Sequence, residues 1–146
     1  LELLKKNKVA VVCGILSGTL ASLTGIFVLC MLFGFNHQQY VTMLPKSITT
    51  AIGIGISEEL GGIVTITVAV IIITGILGNV IADIVFHIFK IKNPLAKGLA
   101  LGTASHAIGT ARAIEMGPVE GAMSSLAVAV AGLLTVVFVS GFAQLI

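Results

Sequence analysis

The chain has 146 residues, 57% of them hydrophobic and only 10% charged, and it carries a net charge of +2 at neutral pH. A water-soluble core of this size cannot bury so much apolar surface, so the composition predicts a single transmembrane domain over 1–146 and leaves no room for a separate soluble domain. The small net charge and the absence of tryptophan do not suit a basic or base-stacking surface, so we expect no nucleic-acid partner.

Three long apolar stretches predict helices that cross the bilayer, for which about 20 residues are enough. Span A is expected at 9–35, span B at 62–90 and span C at 119–146. The stretch from Asn36 to Tyr40 after span A is polar, and we expect a loop there with the tyrosine at the membrane interface.

Two shorter apolar stretches, at 45–60 and 97–116, are interrupted by glycine, serine and threonine and are flanked by charged residues. Irregular backbone is tolerated at membrane depth only where protein surrounds it or where it lines a water-filled cavity. We therefore expect two broken or re-entrant segments beside the three spans of an all-α membrane protein.

Each broken segment is followed by a span, which makes the pair a candidate internal repeat. An offset of 60 residues superposes identical residue types along both copies. The superposed residues are Ile48, Thr50, Ala51, Ile54, Gly61, Val68, Ala69 and Val70 on Ile108, Thr110, Ala111, Ile114, Gly121, Val128, Ala129 and Val130.

Lysine placement bears on the topology, because short basic loops prefer the cytoplasm. The lysines that cluster before span A and after span B are Lys5, Lys6, Lys8, Lys90, Lys92 and Lys97. Both clusters lie on one side only if the first broken segment enters and leaves by the same face. Each copy then contributes one crossing, so the two copies are inverted and a substrate site is expected near the midplane.

Ionisable side chains in the broken segments suggest a transport pathway, because charge within a bilayer is costly. Lys46 and Arg112 could offer charge to a carboxylate, and the neighbouring hydroxyls could donate hydrogen bonds. The expected substrate-binding residues are Lys46, Ser47, Thr49, Thr50, Thr103, Ser105, His106, Gly109, Thr110 and Arg112. Glu58 and Glu115 are candidate coupling or structural acids.

Structural interpretations of the same residues remain open. Lys46 could extend its ammonium to an interface, and Arg112 could pair with Glu115 one turn along its helix. His106 is either a hydrogen-bonded packing residue or a group that couples protons or contacts substrate. The sequence has no metal-ligand spacing, phosphate loop or nucleophile with a partnered base, so we expect no enzyme, metal or cofactor.

Three strings closely resemble signature segments of the LrgB/CidB family: PKSITT at 45–50, KGLALGTASHAIGTAR at 97–112 and EGAMSSLA at 120–127. The resemblance covers most of the chain from about Leu44 onward. Family members usually carry additional spans before the one named A here, so the resemblance implies that the chain corresponds to the C-terminal part of such a protein or to a shortened version of it.

The resemblance implies a multi-pass protein of the bacterial cytoplasmic (inner) membrane. Family members are described as antiholin-like and are linked to control of murein hydrolase activity and autolysis. Relatives include plastidial glycolate/glycerate translocators, and pyruvate is a further carboxylate moved by this group. The implied partners are the lipid bilayer, a small carboxylate anion, a small holin-like protein of the LrgA/CidA type and further copies of the chain.

Two functional hypotheses follow. In the first, the chain transports a small monocarboxylate between its broken segments. In the second, it is an antiholin-like or holin-like regulator or pore component without specific substrate transport, and its polar residues only pack helices.

Overall fold

The computed structural model describes residues 7–146, and within them it contains six helices and no strand. The helices are α1 (Lys8–Leu32), α2 (His37–Met43), α3 (Thr50–Glu59), α4 (Val64–Ile88), α5 (Pro94–Met116) and α6 (Pro118–Ala143). The predicted all-α class is confirmed. Lys5 and Lys6, on which the topology prediction partly depends, lie outside the described residues.

Three helices, α1, α4 and α6, are long and apolar enough to cross a membrane. Each has 25 or 26 residues and is therefore about 38 Å long, which exceeds the roughly 30 Å of a bilayer's hydrocarbon core. They correspond to the spans expected at 9–35, 62–90 and 119–146. Large side chains such as Ile73, Leu77 and Val80 on α4 are exposed, as suits a helix that faces lipid.

The prediction of a loop from Asn36 to Tyr40 is wrong, because the short helix α2 begins there. Asn36 and Gln39 form a capping box in which Gln39 N donates to Asn36 Oδ1 at 2.9 Å and Asn36 N donates to Gln39 Oε1 at 3.0 Å. This reciprocal pair satisfies backbone donors that a helix start leaves free. Tyr40 is fully buried, and its hydroxyl donates to the carbonyl oxygen of Phe142 at 2.8 Å.

Helices α2 and α3 form a hairpin around the non-helical link 44–49. Gly53 on α3 packs against the carbonyl oxygen of Pro45. Farther from the link, Ile63 N donates to Thr42 Oγ1 at 2.8 Å, and Thr67 Oγ1 donates to Thr42 O at 2.9 Å. The chain therefore turns back at the link and leaves by the face at which it entered.

Helix α5 is a second hairpin, because its backbone is broken at His106, where φ is 44° and ψ is −132°. Beyond the break, Gly109 packs directly against Ser105 and the carbonyl oxygen of Leu101. Ala113 lies in one buried cluster with Leu101. In a continuous helix, residues eight apart would be about 12 Å from each other, so the segment after His106 must fold back along the segment before it.

The two hairpins enter from opposite faces of the protein. Gly14 and Gly18 of α1 face Leu99 and Thr103 in turn, so α1 runs parallel to the first half of α5. The face at which α1, α5 and α6 begin is called the near face below, and the opposite face, where α2 begins, is the far face. Each hairpin is followed by a span, α4 after the first and α6 after the second, which is the order expected of an inverted repeat.

Close packing between α5 and α6 depends on two glycines. A Cβ atom added to Gly98 or Gly102 would lie 2.4 Å from the backbone oxygen of Glu120 or of Ser124. Small residues at such positions let helices approach each other in membranes, where lipid gives no hydrophobic drive for association. The second hairpin is thereby fixed against the span that follows it.

Candidate functional site

A cavity of about 780 Å³ lies between α1 and the first half of α5. Each wall is one face of its helix, since the lining residues recur at intervals of three and four. Small side chains predominate on both walls: Ala10, Gly14, Ser17, Gly18, Ala21 and Ser22 on α1, and Ala96, Ala100, Thr103 and Ala104 on α5. Larger residues at these positions would fill the space.

The cavity extends from the near face toward the middle of the protein. Asn7 and Asn93 line its outer end, and Ser22, Lys46 and Ser47 line its inner end. The rise along α1 from residue 7 to residue 22 is about 22 Å at 1.5 Å per residue. The inner end therefore lies at mid-membrane depth, where the link of the first hairpin meets the second hairpin.

Lys46 is the one charged residue among the described residues that line this cavity. Its Nζ donates to Ser47 Oγ at 2.7 Å and to Ser22 Oγ at 3.2 Å. In the part of the chain that the structure describes, no carboxylate lies within ion-pairing distance of it. Lys46 is in the link between α2 and α3, outside the three spanning helices.

Hydroxyl groups surround the inner end of the cavity. Thr19, Ser47, Thr103 and Thr135 line a void of about 10 Å³ beside it. Thr103 Oγ1 donates to Leu99 O, and Thr135 Oγ1 donates to Ala131 O, both at 2.8 Å. Thr19 Oγ1 is buried without a hydrogen-bond partner among residues 7–146. A buried hydroxyl left unpaired costs about 1–3 kcal/mol, so this group is a candidate donor for a bound molecule.

His106 lies at the break of the second hairpin, and it is buried. Its Nε2 is 3.0 Å from the carbonyl oxygen of Ile71. Because a carbonyl oxygen only accepts hydrogen bonds, Nε2 carries the proton in this contact. The offset of 60 residues superposes Lys46 on His106, so the two residues occupy corresponding breaks.

Side chains satisfy the backbone around this second break. Thr110 Oγ1 donates to His106 O at 2.9 Å and shares a 2.8 Å hydrogen bond with Ser124 Oγ. Asn79 Nδ2 donates to Ile108 O at 3.1 Å. Ser105 is buried against Gly78 of α4. These contacts fix the hairpin between α4 and α6.

The structure does not bring Arg112 to Lys46. Arg112 is half-exposed on the returning half of α5, where it forms ion pairs with Asp83 of α4 and with Glu115 at 2.7 Å. The pair with Glu115 is the structural alternative named above for Arg112. Its charge is thus balanced by two carboxylates, and the pair with Asp83 joins the second hairpin to α4.

The remaining expected residues lie outside the cavity. Thr49 and Thr50 are half-buried at the start of α3, and Glu58 is exposed near its end at the far face. Gly109, Ser105 and Thr110 surround the second break. The cavity itself unites Lys46, Ser47 and Thr103 of the expected set.

Sequence reasoning missed the contribution of α1, which supplies Thr19 and Ser22. A signal for it exists: Gly14, Gly18 and Ser22 recur every four residues and so share one helix face. Stripes of small residues on a spanning helix usually mark a surface that another helix approaches closely.

Comparison with known proteins identifies relatives of this chain by sequence. A family model described as the LrgB-like family matches residues 1–145. The antiholin-like protein LrgB of Bacillus subtilis (strain 168) is 40% identical over 143 residues, which are 98% of this chain and 62% of that protein. The protein of the same name from Bacillus cereus (strain B4264) is 41% identical over 139 residues, 95% of this chain and 60% of that protein.

This chain therefore spans about 60% of the length of these curated relatives. No solved structure matches it.

Proposed function

The chain belongs to the LrgB-like family, and on that premise we propose that it carries a small monocarboxylate across the bacterial cytoplasmic membrane. Pyruvate, glycolate and glycerate are the substrates of this size that we favour. The observation on which the proposal depends is Lys46, a half-buried cation without an acidic partner in the described chain, at the inner end of a cavity that reaches mid-membrane depth. We further propose that this traffic links the protein to control of murein hydrolase activity and autolysis.

The charge of Lys46 favours an anionic substrate. An ammonium group held at membrane depth is costly unless a counter-charge or several dipoles stabilise it. Two serine hydroxyls are its partners here, and a carboxylate would replace them with a stronger charge-assisted hydrogen bond. Ser22, Ser47 and the unpaired hydroxyl of Thr19 could then contact the second carboxylate oxygen or a hydroxyl of the substrate.

The size of the cavity suits a small ligand that enters with water. Ligand pockets commonly measure about 300–1,000 Å³, and this cavity has about 780 Å³. Its walls are small and largely apolar, so they offer little to hold a large polar molecule. The specificity we propose therefore resides at the inner end, around Lys46.

Transport also needs a way out through the far face. There the path beyond Lys46 is filled by a buried cluster that includes Leu23, Ile26, Tyr40, Leu44 and Val139. Inverted repeats commonly open one side and close the other by moving as units around a fixed site. We propose that movement of the hairpins opens the far face after the carboxylate has bound.

Uptake of labelled pyruvate into proteoliposomes tests this proposal. We expect Lys46→Gln to lower the uptake rate by about tenfold or more, since a hydrogen bond to a charged group contributes roughly 1.5–3 kcal/mol. Lys8→Gln is the matched control, because it removes the same charge from the near face outside the cavity lining. Unchanged uptake by a well-folded Lys46→Gln protein would rule out Lys46 as the substrate-binding cation.

A second candidate function comes from the names of the relatives, which are called antiholin-like. On this hypothesis the chain regulates or forms part of a pore with a small holin-like partner of the LrgA/CidA type, in a homo-oligomer or mixed assembly. Dye release from liposomes that contain both proteins distinguishes the hypotheses. Release that requires both proteins, shows no preference among carboxylates and persists in Lys46→Gln would favour the second.

A further inference from the structure

A second cavity, of about 560 Å³, lies at the near face where α4 ends and α5 begins. It shares no lining residue with the cavity that contains Lys46. Phe86 and Ile91 give it apolar lining, and Lys90, Lys92 and Lys97 supply three cations. We refer to this cavity as the basic pocket.

The positive charge of the basic pocket is not neutralised by the protein. Asp83 is the one acidic residue in its lining, and its carboxylate already pairs with Arg112. Among residues 7–146, no carboxylate lies within ion-pairing distance of any of the three lysines. Lys97 Nζ lies 5.7 Å from the centre of the Phe86 ring, a cation–π contact that holds this ammonium beside the apolar lining.

The backbone at Lys90 adds an observation independent of charge. Three helices end with the same pair of hydrogen bonds, and at each end one residue has positive φ. After α1 and α3 that residue is glycine, Gly34 with φ 65° and Gly61 with φ 75°. After α4 it is Lys90, with φ 53°. Side chains other than glycine and asparagine are uncommon in this conformation, so Lys90 occupies a position whose backbone favours glycine.

We propose that the basic pocket binds a phosphate group of an anionic phospholipid, such as the headgroup of phosphatidylglycerol. The pocket lies at the end of a spanning helix, at the level where headgroups meet water, and its apolar lining suits the glycerol and upper acyl chains. Basic pockets between membrane helices at this level are known to bind the headgroups of acidic lipids. Free phosphate or a soluble phosphate ester presents the same anionic group to the three lysines. The experiment below distinguishes such a soluble ligand from the lipid.

The test titrates the purified full chain, held in an uncharged detergent, with dioleoyl phosphatidylglycerol and counts bound lipid by native mass spectrometry. We expect the chain to bind this lipid more tightly than dioleoyl phosphatidylcholine. Lys90→Gln, Lys92→Gln and Lys97→Gln should each weaken binding about fivefold, as expected for one lysine near a membrane phosphate. Lys8→Gln, which removes a near-face lysine outside the pocket, should leave it unchanged.

Lys90→Gly separates binding from folding, because glycine suits positive φ but has no charge. We expect this variant to melt at or above the temperature of the wild type while it loses lipid affinity. Inorganic phosphate that competes with the lipid at millimolar concentration would identify a soluble phosphate source, and failure to compete would identify the lipid. Equal affinity for the two lipids, or an equal loss in Lys8→Gln and in the three pocket variants, would overturn the proposal.

Discussion

Lys46 and His106 lie 60 residues apart, and each lies where one of the two hairpins is broken. The two breaks have different chemistry. The ammonium of Lys46 donates hydrogen bonds to two serine hydroxyls, whereas His106 is joined to the backbone of α4 through its Nε2. The two copies therefore break at corresponding positions but with different side chains, and the cation at the breaks comes from the first copy alone.

Thr19 offers a test at the scale of one atom. Thr19→Val replaces the unpaired buried hydroxyl with a methyl group of similar size, so we expect the melting temperature to rise or stay unchanged. If the hydroxyl contacts the substrate, the Michaelis constant for pyruvate uptake should increase. Both quantities can be measured on the same purified protein.

Thr135→Val is the matched control for Thr19→Val. Its hydroxyl lines the same small void but already donates to Ala131 O, so its loss should leave uptake little changed. An equal rise of the Michaelis constant in both variants would contradict a specific role for Thr19.

Part of the site could be predicted from residue types. The sequence predicts Lys46, Ser47 and Thr103 because polar groups are rare and costly at membrane depth, and their role in binding stays a prediction. The ion pair between Arg112 and Asp83 could not be predicted, because it depends on the return of α5 toward a residue 29 positions earlier. The contribution of Thr19 and Ser22 is not predicted, because the stripe of small residues on α1 usually marks close helix packing and does not by itself indicate a binding site.

At the scale of elements, the two hairpins are held differently: the first packs large side chains such as Tyr40 and Leu44 into a buried apolar cluster, whereas the second depends on close backbone contacts. Gly98 and Gly102 bring α5 against α6, and Asn79, Thr110 and Ser124 satisfy polar groups near the break. The broken segments could be predicted from their glycine, serine and threonine content. The start of the first hairpin could not, since the polar residues Asn36 to Gln39 that form the capping box of α2 are equally typical of a loop.

Substitution of Gly102 tests this packing. Gly102→Ala would bring a Cβ to 2.4 Å from the Ser124 carbonyl oxygen, which neither backbone can avoid without separating the helices. We expect a clearly lower melting temperature in detergent. Gly25→Ala in α1 is the control, because nothing lies within 4 Å of its added Cβ and alanine is the better helix former by about 1 kcal/mol. A similar fall in both variants would contradict the proposed contact.

At the scale of the whole molecule, two hairpins enter from opposite faces and three spans connect them. This inverted arrangement could be predicted from the lysines, because the charge bias of loops constrains how many times the chain crosses. The depth and extent of the cavity could not, since they depend on which faces of α1 and α5 meet.

Cysteine accessibility tests the arrangement in intact cells. In a protein with Cys13 and Cys30 replaced, single thiols at Lys8 and Lys92 should react with an impermeant reagent from the same side of the membrane. A thiol at Glu58, which is exposed at the far face, should react from the other side. Labelling of positions 8 and 92 from opposite sides would rule out re-entry of the first hairpin.

The lone charge of Lys46 at the inner end of a one-sided cavity makes the proposed carrier sensitive to voltage. Water in the cavity puts Lys46 at the electrical potential of the side to which the cavity is open. When the cavity closes on one side and opens on the other, the charge of Lys46 therefore crosses most of the membrane potential without the lysine itself moving far. The empty carrier is positive, while the carboxylate-loaded carrier is neutral. For a full unit charge the field contributes about 2.3 kcal/mol per 100 mV. With the near face in the cytoplasm, a negative interior favours return of the empty form inward and so drives the carboxylate outward without any coupling ion.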